Sequence, residues 1–266
     1  MKTHESMAGI GKNLARLAEA HIDRAFRSML HGPMVVHENT YLRLITGEPH
    51  PFGNLAVMSH GADRQSLEVA IGPLRACSAP SAVLLIGAPG GDVVDHLSAN
   101  GFQPHEVMPA MAVDIDTLAK TELPAGYTFD RVDTGADSDQ WANAFAVGYE
   151  VPLPLGKLFS PGAVNAATAV DAPLQCFAIR NEHGSMVCTS LLYLDDGVAG
   201  IYCVATIPPE RGRGLGAYAT AEPLRLAREI GFRVGVLQSS PAGHSVYRKL
   251  GFTDVGAVPL FVRMPE

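Results

Sequence analysis

Residues 198–226 restrict the possible folds of this chain more than any other stretch. Residues 198–206 are apolar and partly β-branched, which predicts a buried strand. Two prolines follow, then a glycine-rich turn, RGRGLGA at residues 211–217, and then apolar residues at helical spacing. Such a strand, loop and helix start predict an anion cradle, because glycines let the backbone approach closely and the helix dipole favours negative charge. Arg211 and Arg213 can add charge-assisted hydrogen bonds to a phosphate.

Three other interpretations of this loop need to be considered. A P-loop requires Gly-Lys-Ser/Thr after the turn, and this loop has no lysine. A Rossmann turn requires G-x-G-x-x-G in a βαβ unit, whereas Gly212, Gly214 and Gly216 have a different spacing. On the loop alone, an ordinary strand-to-helix turn with surface arginines stays open, because short glycine motifs recur by accident.

A second motif follows the first at a fixed distance. Residues 233–237 predict a strand, and residues 240–250 predict a helix that ends at Gly251-Phe252. The loop resembles the coenzyme A motif of the GNAT superfamily of N-acetyltransferases. The positions of that motif are occupied here by Pro208, Arg211, Gly214 and Gly216. Residues 247–252, YRKLGF, are similar to the Tyr-x-x-x-Gly-Phe of that superfamily. The resemblance covers residues 127–264.

The resemblance implies a fold of the α/β class (an α+β mixed sheet) and acetyl-CoA as co-substrate. Backbone N–H groups at the splayed end of the first strand would hold the thioester carbonyl, where negative charge develops; these belong to Val204, Ala205 and Thr206. The pyrophosphate would rest on the N–H groups of Arg211, Gly212, Arg213, Gly214, Leu215, Gly216 and Ala217. Ser240 is a further expected cofactor contact. Tyr247 would act as general acid toward the departing thiolate, as the matching tyrosine does in many relatives.

The acceptor side of the site is less defined by sequence. In this superfamily the loop between the first two helices of the domain often lines the acceptor site, which makes Tyr149 and Glu150 candidates. The strand before the loop lacks the glutamate that many relatives use as base, and Tyr202 is its main proton-exchanging side chain besides Cys203.

Pro223 is expected to kink the helix after the loop or to shift its start. Residues 157–170 are expected to hold a second short helix.

The end of the chain is repeated in its first half. GFQPHEVMP at residues 101–109 aligns with GFTDVGAVP at residues 251–259, so that Gly251 lies 150 positions after Gly101 and Pro259 lies 150 positions after Pro109. We therefore predict two GNAT-like units in tandem, residues 1–118 and residues 125–266. The first unit has no Arg-x-x-Gly-x-Gly loop. We expect this first unit to be degenerate and to bind no coenzyme A. It would instead complete the substrate cleft or form an inner dimer-like face. Because such an internal duplication can replace a dimer, we favour a monomer, and a dimer stays possible.

Composition excludes several other classes of function. A formal net charge of −7 argues against general nucleic-acid binding. The first residues contain no continuous apolar run, so we expect neither a signal peptide nor a membrane span. The four cysteines lie far apart, without C-x-x-C, and indicate thiols in a reducing cytoplasm. The ten histidines form no ligand spacing, so we expect no metal.

Two functions from different classes follow from these features. The first is an acetyl-CoA-dependent N-acetyltransferase that moves an acetyl group by direct transfer to an amine of a small molecule or peptide. The second is a coenzyme A-binding sensor or interaction module without turnover, which the missing glutamate and the degenerate first unit favour slightly.

Overall fold

The structure is a computed structural model that describes residues 7–265, with side chains from residue 14 onward. Within this part of the chain, seven α-helices cover a mixed sheet of eleven strands. The helices are α1 (Met7–Met29), α2 (Arg64–Ala76), α3 (Gly91–Ala99), α4 (Asp137–Tyr149), α5 (Leu153–Leu158), α6 (Leu215–Glu229) and α7 (Pro241–Leu250). The strands are β1 (Val35–His37), β2 (Tyr41–Ile45), β3 (Asn54–Met58), β4 (Ser81–Leu85), β5 (Gln103–Asp114), β6 (Thr128–Val132), β7 (Leu174–Arg180), β8 (Met186–Asp195), β9 (Val198–Thr206), β10 (Val234–Gln238) and β11 (Thr253–Arg263).

The order of the strands shows that the two halves exchange their last strands. The order is β1-β2-β3-β4-β11-β5-β10-β9-β8-β7-β6. Thus β11, at the end of the chain, pairs with β4 of the first half, and β5, from the first half, pairs with β10 of the second half. The sheet is therefore continuous across both halves.

The pairing of β5 with β11 follows the repeat that the sequence predicts. Met108 lies opposite Val258, and these two residues are 150 positions apart. The register shifts on each side of the Met108–Val258 pair. One shift lies between Asp254 and Gly256, and the other between Leu260 and Phe261. The strand geometry therefore has an approximate two-fold axis at the Met108–Val258 pair, and the tandem GNAT-like fold is confirmed.

The helices form one layer on each face of the sheet. Successive strand residues point to opposite faces, so the buried clusters report which helix lies on which face. Val236 of β10 packs in the cluster that contains Ile22 of α1, whereas the adjacent Leu237 packs with Leu224 of α6. On this basis α1, α4 and α5 cover one face, and α2, α3, α6 and α7 cover the other.

One local expectation was wrong, and a second is tested only in part. The second short helix is α5, Leu153–Leu158, and not residues 157–170, because Pro152 precedes it as N-cap and fixes an early start. The kink expected at Pro223 stays a prediction, but the start of α6 is not shifted: this helix runs from Leu215 to Glu229, with Gly214 as N-cap. Its apolar face, with Ala221, Leu224 and Ala227 buried against the sheet, outweighs the backbone hydrogen bond that the proline removes.

Across residues 7–265 no helix is both long enough and apolar enough to cross a membrane. The four cysteines are free thiols; Cys176 and Cys188 are buried, and Cys77 and Cys203 are half-buried.

Candidate active site

The centre of the candidate site is a bulge in β9. Two residues of β9, Cys203 and Val204, lie opposite the single residue Ser190 of β8. Cys203 has a positive φ of 53°, a conformation that is uncommon for a residue other than glycine and often marks a functional position. The Oγ1 of Thr189 donates a hydrogen bond of 2.9 Å to the carbonyl oxygen of Cys203. The bulge thus re-orients the backbone next to the predicted thioester position.

The bulge directs one N–H group into a gap between two strands. In a trans peptide the C=O and the following N–H point in opposite directions. Because the Cys203 carbonyl points to Thr189 on β8, the N–H of Val204 points away from β8, toward β10. The pairing of β9 with β10 ends at Gly200 with Val236, so the strands are splayed beyond it. The N–H of Val204 therefore faces this gap.

The glycine loop leads into α6 without a side-chain cap. Gly214 is the N-cap residue, with a positive φ of 84°, and no side chain bonds to the first turn of the helix. A Cβ atom at Gly212 would meet no heavy atom within 4 Å, and one at Gly216 would come no closer than 3.7 Å to its neighbours. The first N–H groups of α6 are thus open to an anion, which they attract together with the helix dipole.

The two loop arginines have different environments. Arg211 donates from Nε to the Thr206 carbonyl at 3.1 Å and from Nη2 to the Gly148 carbonyl at 2.9 Å, and it pairs with the Glu150 carboxylate at 3.1 Å. It therefore ties the end of β9 to the end of α4. Arg213 donates to the Tyr127 hydroxyl at 3.0 Å and lies 3.3 Å from the Glu210 carboxylate, with a side chain that is 55% exposed.

Tyr247 approaches the same gap from α7. Ser240 caps this helix by accepting a hydrogen bond from the Gly243 N–H at 3.3 Å. A Cβ atom at Gly243 would lie 2.8 Å from the ring of Tyr247, so the glycine leaves room for the ring. The ring packs edge-on against Phe252. Burial raises the pKa of Tyr247 to about 12, although interaction with the Thr220 hydroxyl opposes this shift.

An apolar cavity of about 170 Å³ opens at the gap. Ile201, Tyr202, Cys203 and Val204 of β9 line it, together with Tyr247. The rest of its wall comes from both halves of the chain: α1, β3, β4 and β5 of the first half, and α4, α5 and the end of β10 of the second half. The cavity therefore lies on the face of the sheet that α1, α4 and α5 cover, and it extends to Tyr247 of α7.

The expected acceptor residues are only partly brought together. Tyr149 and Tyr202 line the cavity, whereas Glu150 does not. Glu150 ends α4 in the left-handed conformation, and its carboxylate is 68% exposed and paired with Arg211. A base role for Glu150 remains a prediction that this placement does not favour.

Sequence reasoning did not identify His21 or Gln238. The fully buried His21 on α1 shares a hydrogen bond of 2.7 Å between its Nδ1 and the Tyr202 hydroxyl, and burial lowers the pKa of His21 to about 4. Gln238 ends β10 and lines the cavity, and its Nε2 is buried with no hydrogen-bond partner in the described part of the chain. A histidine on the apolar face of the first helix was the available signal for His21; Gln238 gave none.

The corresponding place in the first half has a different chemistry. Residues 59–63 connect β3 to α2, and the carboxylate of Asp63 caps α2 by accepting a hydrogen bond from the Ser66 N–H at 2.8 Å. This carboxylate occupies the helix start that is open in α6 and would repel a phosphate there.

Among the residues described, no group of three His, Cys, Asp or Glu side chains could hold a metal ion.

A family model described as "Acetyltransferase (GNAT) family" matches residues 143–252, which include the bulge, the glycine loop and Tyr247. Residues 143–252 therefore form a GNAT-family acetyltransferase domain. The domain is an acyltransferase of the GNAT type, and acyl transfer is the general chemistry of the family.

Solved structures share the fold over nearly the whole chain. A GCN5-related N-acetyltransferase from Kribbella flavida has 22% identity and a TM-score of 0.64, with 94% of this chain and 95% of that one covered. A GCN5-related N-acetyltransferase from Sphaerobacter thermophilus has 17% identity and a TM-score of 0.61, with 84% and 76% covered. A tandem GNAT protein from the clavulanic acid biosynthesis pathway has 13% identity and a TM-score of 0.56, with 94% and 87% covered. Among curated proteins, no sequence matches.

Proposed function

We propose that this GNAT-type protein transfers an acetyl group from acetyl-CoA directly to an amine of a small molecule or peptide. The observation that carries the proposal is the Val204 N–H, which the bulge aims into the gap beside an uncapped helix start. A preorganised N–H that faces a carbonyl oxygen stabilises the negative charge developing on it. The open N–H groups from Arg211 to Ala217, with Ser240 nearby on α7, supply the pyrophosphate and cofactor contacts.

Tyr247 supplies the proton for the departing sulfur, while the proton that the amine loses passes to solvent, from which the phenol is reprotonated. An alkyl thiol has a pKa of about 8.5 in water, so its thiolate leaves more readily when it receives a proton. The raised pKa of Tyr247 keeps its hydroxyl protonated at neutral pH. Because the cavity is apolar, burial raises the proton affinity of a thiolate there as well, which favours donation from the phenol.

We assign the two units to residues 1–118 and residues 125–266. The second carries the acetyl-CoA site, and the first is a scaffold that binds no coenzyme A, in keeping with the acidic cap of α2. We place the protein in the cytoplasm, where free thiols persist, without metal, nucleic acid or membrane as partner. The internal pairing of β5 with β11 takes the place of a dimer contact, so we expect a monomer.

A coenzyme A-binding module without turnover is the second candidate. The observation that favours it is the cavity wall, where the described residues include neither a carboxylate nor a histidine that could take a proton from the amine. Saturable acetyl-CoA binding without thiol release on any amine of a broad panel would support this candidate over the enzyme.

Calorimetric titration with acetyl-CoA tests the placement of the pyrophosphate. We expect Arg213→Glu to weaken binding about 10- to 100-fold, because it replaces a charge-assisted hydrogen bond with repulsion. Arg213→Gln, which adds no repulsion toward Glu210, is expected to weaken binding less. Arg64→Glu is the matched control, since Arg64 is exposed in the first turn of α2 and the change in net charge is the same. Unchanged affinity of Arg213→Glu, or an equal loss in Arg64→Glu, contradicts the placement.

A further inference from the structure

The wall of the cavity beside the bulge is apolar, whereas a site for polycations needs acidic side chains. Among the side chains that the structure describes, from residue 14 onward, no charged one lines the cavity. Its first-half wall contains Ile22, Leu55, Leu84 and Met108, and its second-half wall contains Leu155 and Phe159. Burying a charged group against such a wall without a partner is costly, whereas burying hydrocarbon is favourable.

The position of the cavity identifies which ligand it faces. The glycine loop and α6 lie on one face of the sheet, and the cavity lies mainly on the other, on the side of α1, α4 and α5. The two sides meet at the gap between β9 and β10, where the Val204 N–H points. A cofactor held on the α6 side presents its acyl group at this gap, and the acceptor then approaches from the cavity.

We propose that the cavity binds the apolar body of the acceptor, so that the substrate is a small amine carrying an aliphatic chain or one aromatic ring. This inference rests on the acetyltransferase function proposed above. An engineered cavity of about 150 Å³ lined by apolar residues binds benzene, and a cavity of about 170 Å³ holds a group of similar size.

The polar groups at the cavity that the structure describes carry no formal charge. Gln238 offers an amide whose Nε2 has no hydrogen-bond partner among the described residues, and it stands at the end of β10 beside the gap. The Tyr202 hydroxyl is held by the buried His21. The first half of the chain thus contributes to acceptor selection through α1, β3, β4 and β5 and not through cofactor binding.

Binding of linear alkylamines tests this proposal. Calorimetry at pH 8, with coenzyme A and without it, would measure the Kd of amines from propylamine to heptylamine. We expect the affinity to rise about fourfold for each added methylene until the cavity is filled. Putrescine and spermidine are expected to bind about 100-fold more weakly than heptylamine, because their second charge has no partner in the wall. Affinity independent of chain length, or a preference for spermidine, overturns the proposal.

A matched pair of variants tests the location. Phe52 lines the mouth of the cavity and is 37% exposed, so Phe52→Glu adds a carboxylate there without burying it deeply. We expect at least a tenfold loss in heptylamine affinity and a gain in spermidine affinity. Val69→Glu, at a 55% exposed position of α2 on the opposite face, is expected to change neither. Equal effects of the two variants contradict the location.

Acyl-CoA chain length separates the acceptor from the acyl group. The affinities for acetyl-, butyryl- and hexanoyl-CoA are expected not to rise comparably with the length of the acyl chain. If acyl-CoA affinity rises with chain length and alkylamine affinity does not, the acyl group occupies the cavity and the proposal is wrong. Failure of the proposed function gives a different result. In that case acetyl-CoA does not bind in the separate titration, whereas the affinity for alkylamines still rises with their chain length.

Discussion

Tyr247 can adopt its position because residue 243, one helical turn earlier, is a glycine. A Cβ atom there would lie 2.8 Å from the ring, closer than such contacts normally come. The orientation of Val204 likewise depends on a neighbour, since Thr189 holds the Cys203 carbonyl. At the scale of the residue, each proposed catalytic group is therefore positioned by a small or polar side chain elsewhere in the fold.

Tyr247→Phe tests the role of the hydroxyl. If Tyr247 is the general acid, we expect kcat to fall about 10²- to 10⁴-fold while the Kd of acetyl-CoA changes little. Because the pKa of Tyr247 is raised to about 12, the wild-type rate should show no loss from its deprotonation between pH 7 and pH 10. Steady-state kinetics and calorimetry give the two quantities. Full retention of kcat in the variant would show that the tyrosine only packs at the site.

His21 gives a pH-dependent contribution to stability. Its pKa is about 4 in the folded protein and about 6.5 when unfolded, so the unfolded state takes up the proton first as the pH falls. Its neutral form therefore contributes fully above pH 6.5, and stability decreases from pH 6.5 down to about pH 4. The expected loss over this range is about 3 kcal/mol.

The comparison with His21→Gln isolates this term, because glutamine still offers the Tyr202 hydroxyl an acceptor and does not titrate. Urea unfolding at pH 4.5 and pH 7.5 would measure the free energy of unfolding of both proteins. We expect the wild type to lose about 2–3 kcal/mol more than the variant between these pH values. Equal losses would show that His21 is not held neutral by burial.

At the scale of the element, the β9 bulge links strand geometry to chemistry. The sequence predicts the strand and the loop after it, and both are confirmed. It does not predict that Cys203 takes a positive φ, because nothing in a run of β-branched and apolar residues indicates this conformation. The bulge arises from the pairing with β8 and from the Thr189 hydroxyl, a contact between two strands.

Thr189→Val tests this link. The side chains are similar in size, but valine cannot donate to the Cys203 carbonyl, so the peptide that carries the Val204 N–H loses its restraint. We expect kcat to fall about 10- to 100-fold with little change in acetyl-CoA affinity, and stability to fall by about 1 kcal/mol. Thr253→Val on the same sheet is the control, since its hydroxyl donates to the Ala112 carbonyl and not to that of Cys203. An unchanged kcat in Thr189→Val would mean that the bulge holds its shape without the hydroxyl.

At the scale of the whole molecule, the exchange of β5 and β11 joins the two halves into one sheet. Each half supplies a strand that the other half needs: β11 pairs with β4, and β5 pairs with β10. The cavity is also shared, since α1 and α4 both line it. Neither half can unfold without exposing a strand and a cavity wall of the other.

We therefore expect a single unfolding transition. Trp141 is the only tryptophan and lies fully buried in α4, so its fluorescence reports on the second half, while far-ultraviolet circular dichroism reports on the whole chain. In a urea titration the two signals should give the same midpoint. Distinct midpoints would show that the two halves unfold independently.

The sequence by itself determined the glycine loop, the helix that carries Tyr247 and the 150-residue repeat, because these depend on local backbone preferences and on residue order along the chain. The start of α5 shows the limit of this reasoning, since the proline at its N-cap decided that element. Only the tertiary structure decided the exchange of β5 and β11, the hydrogen bond between His21 and Tyr202 and the uncharged wall of the cavity. These join residues that are far apart in the chain, and strand pairing and burial, which create them, leave no local pattern in the sequence.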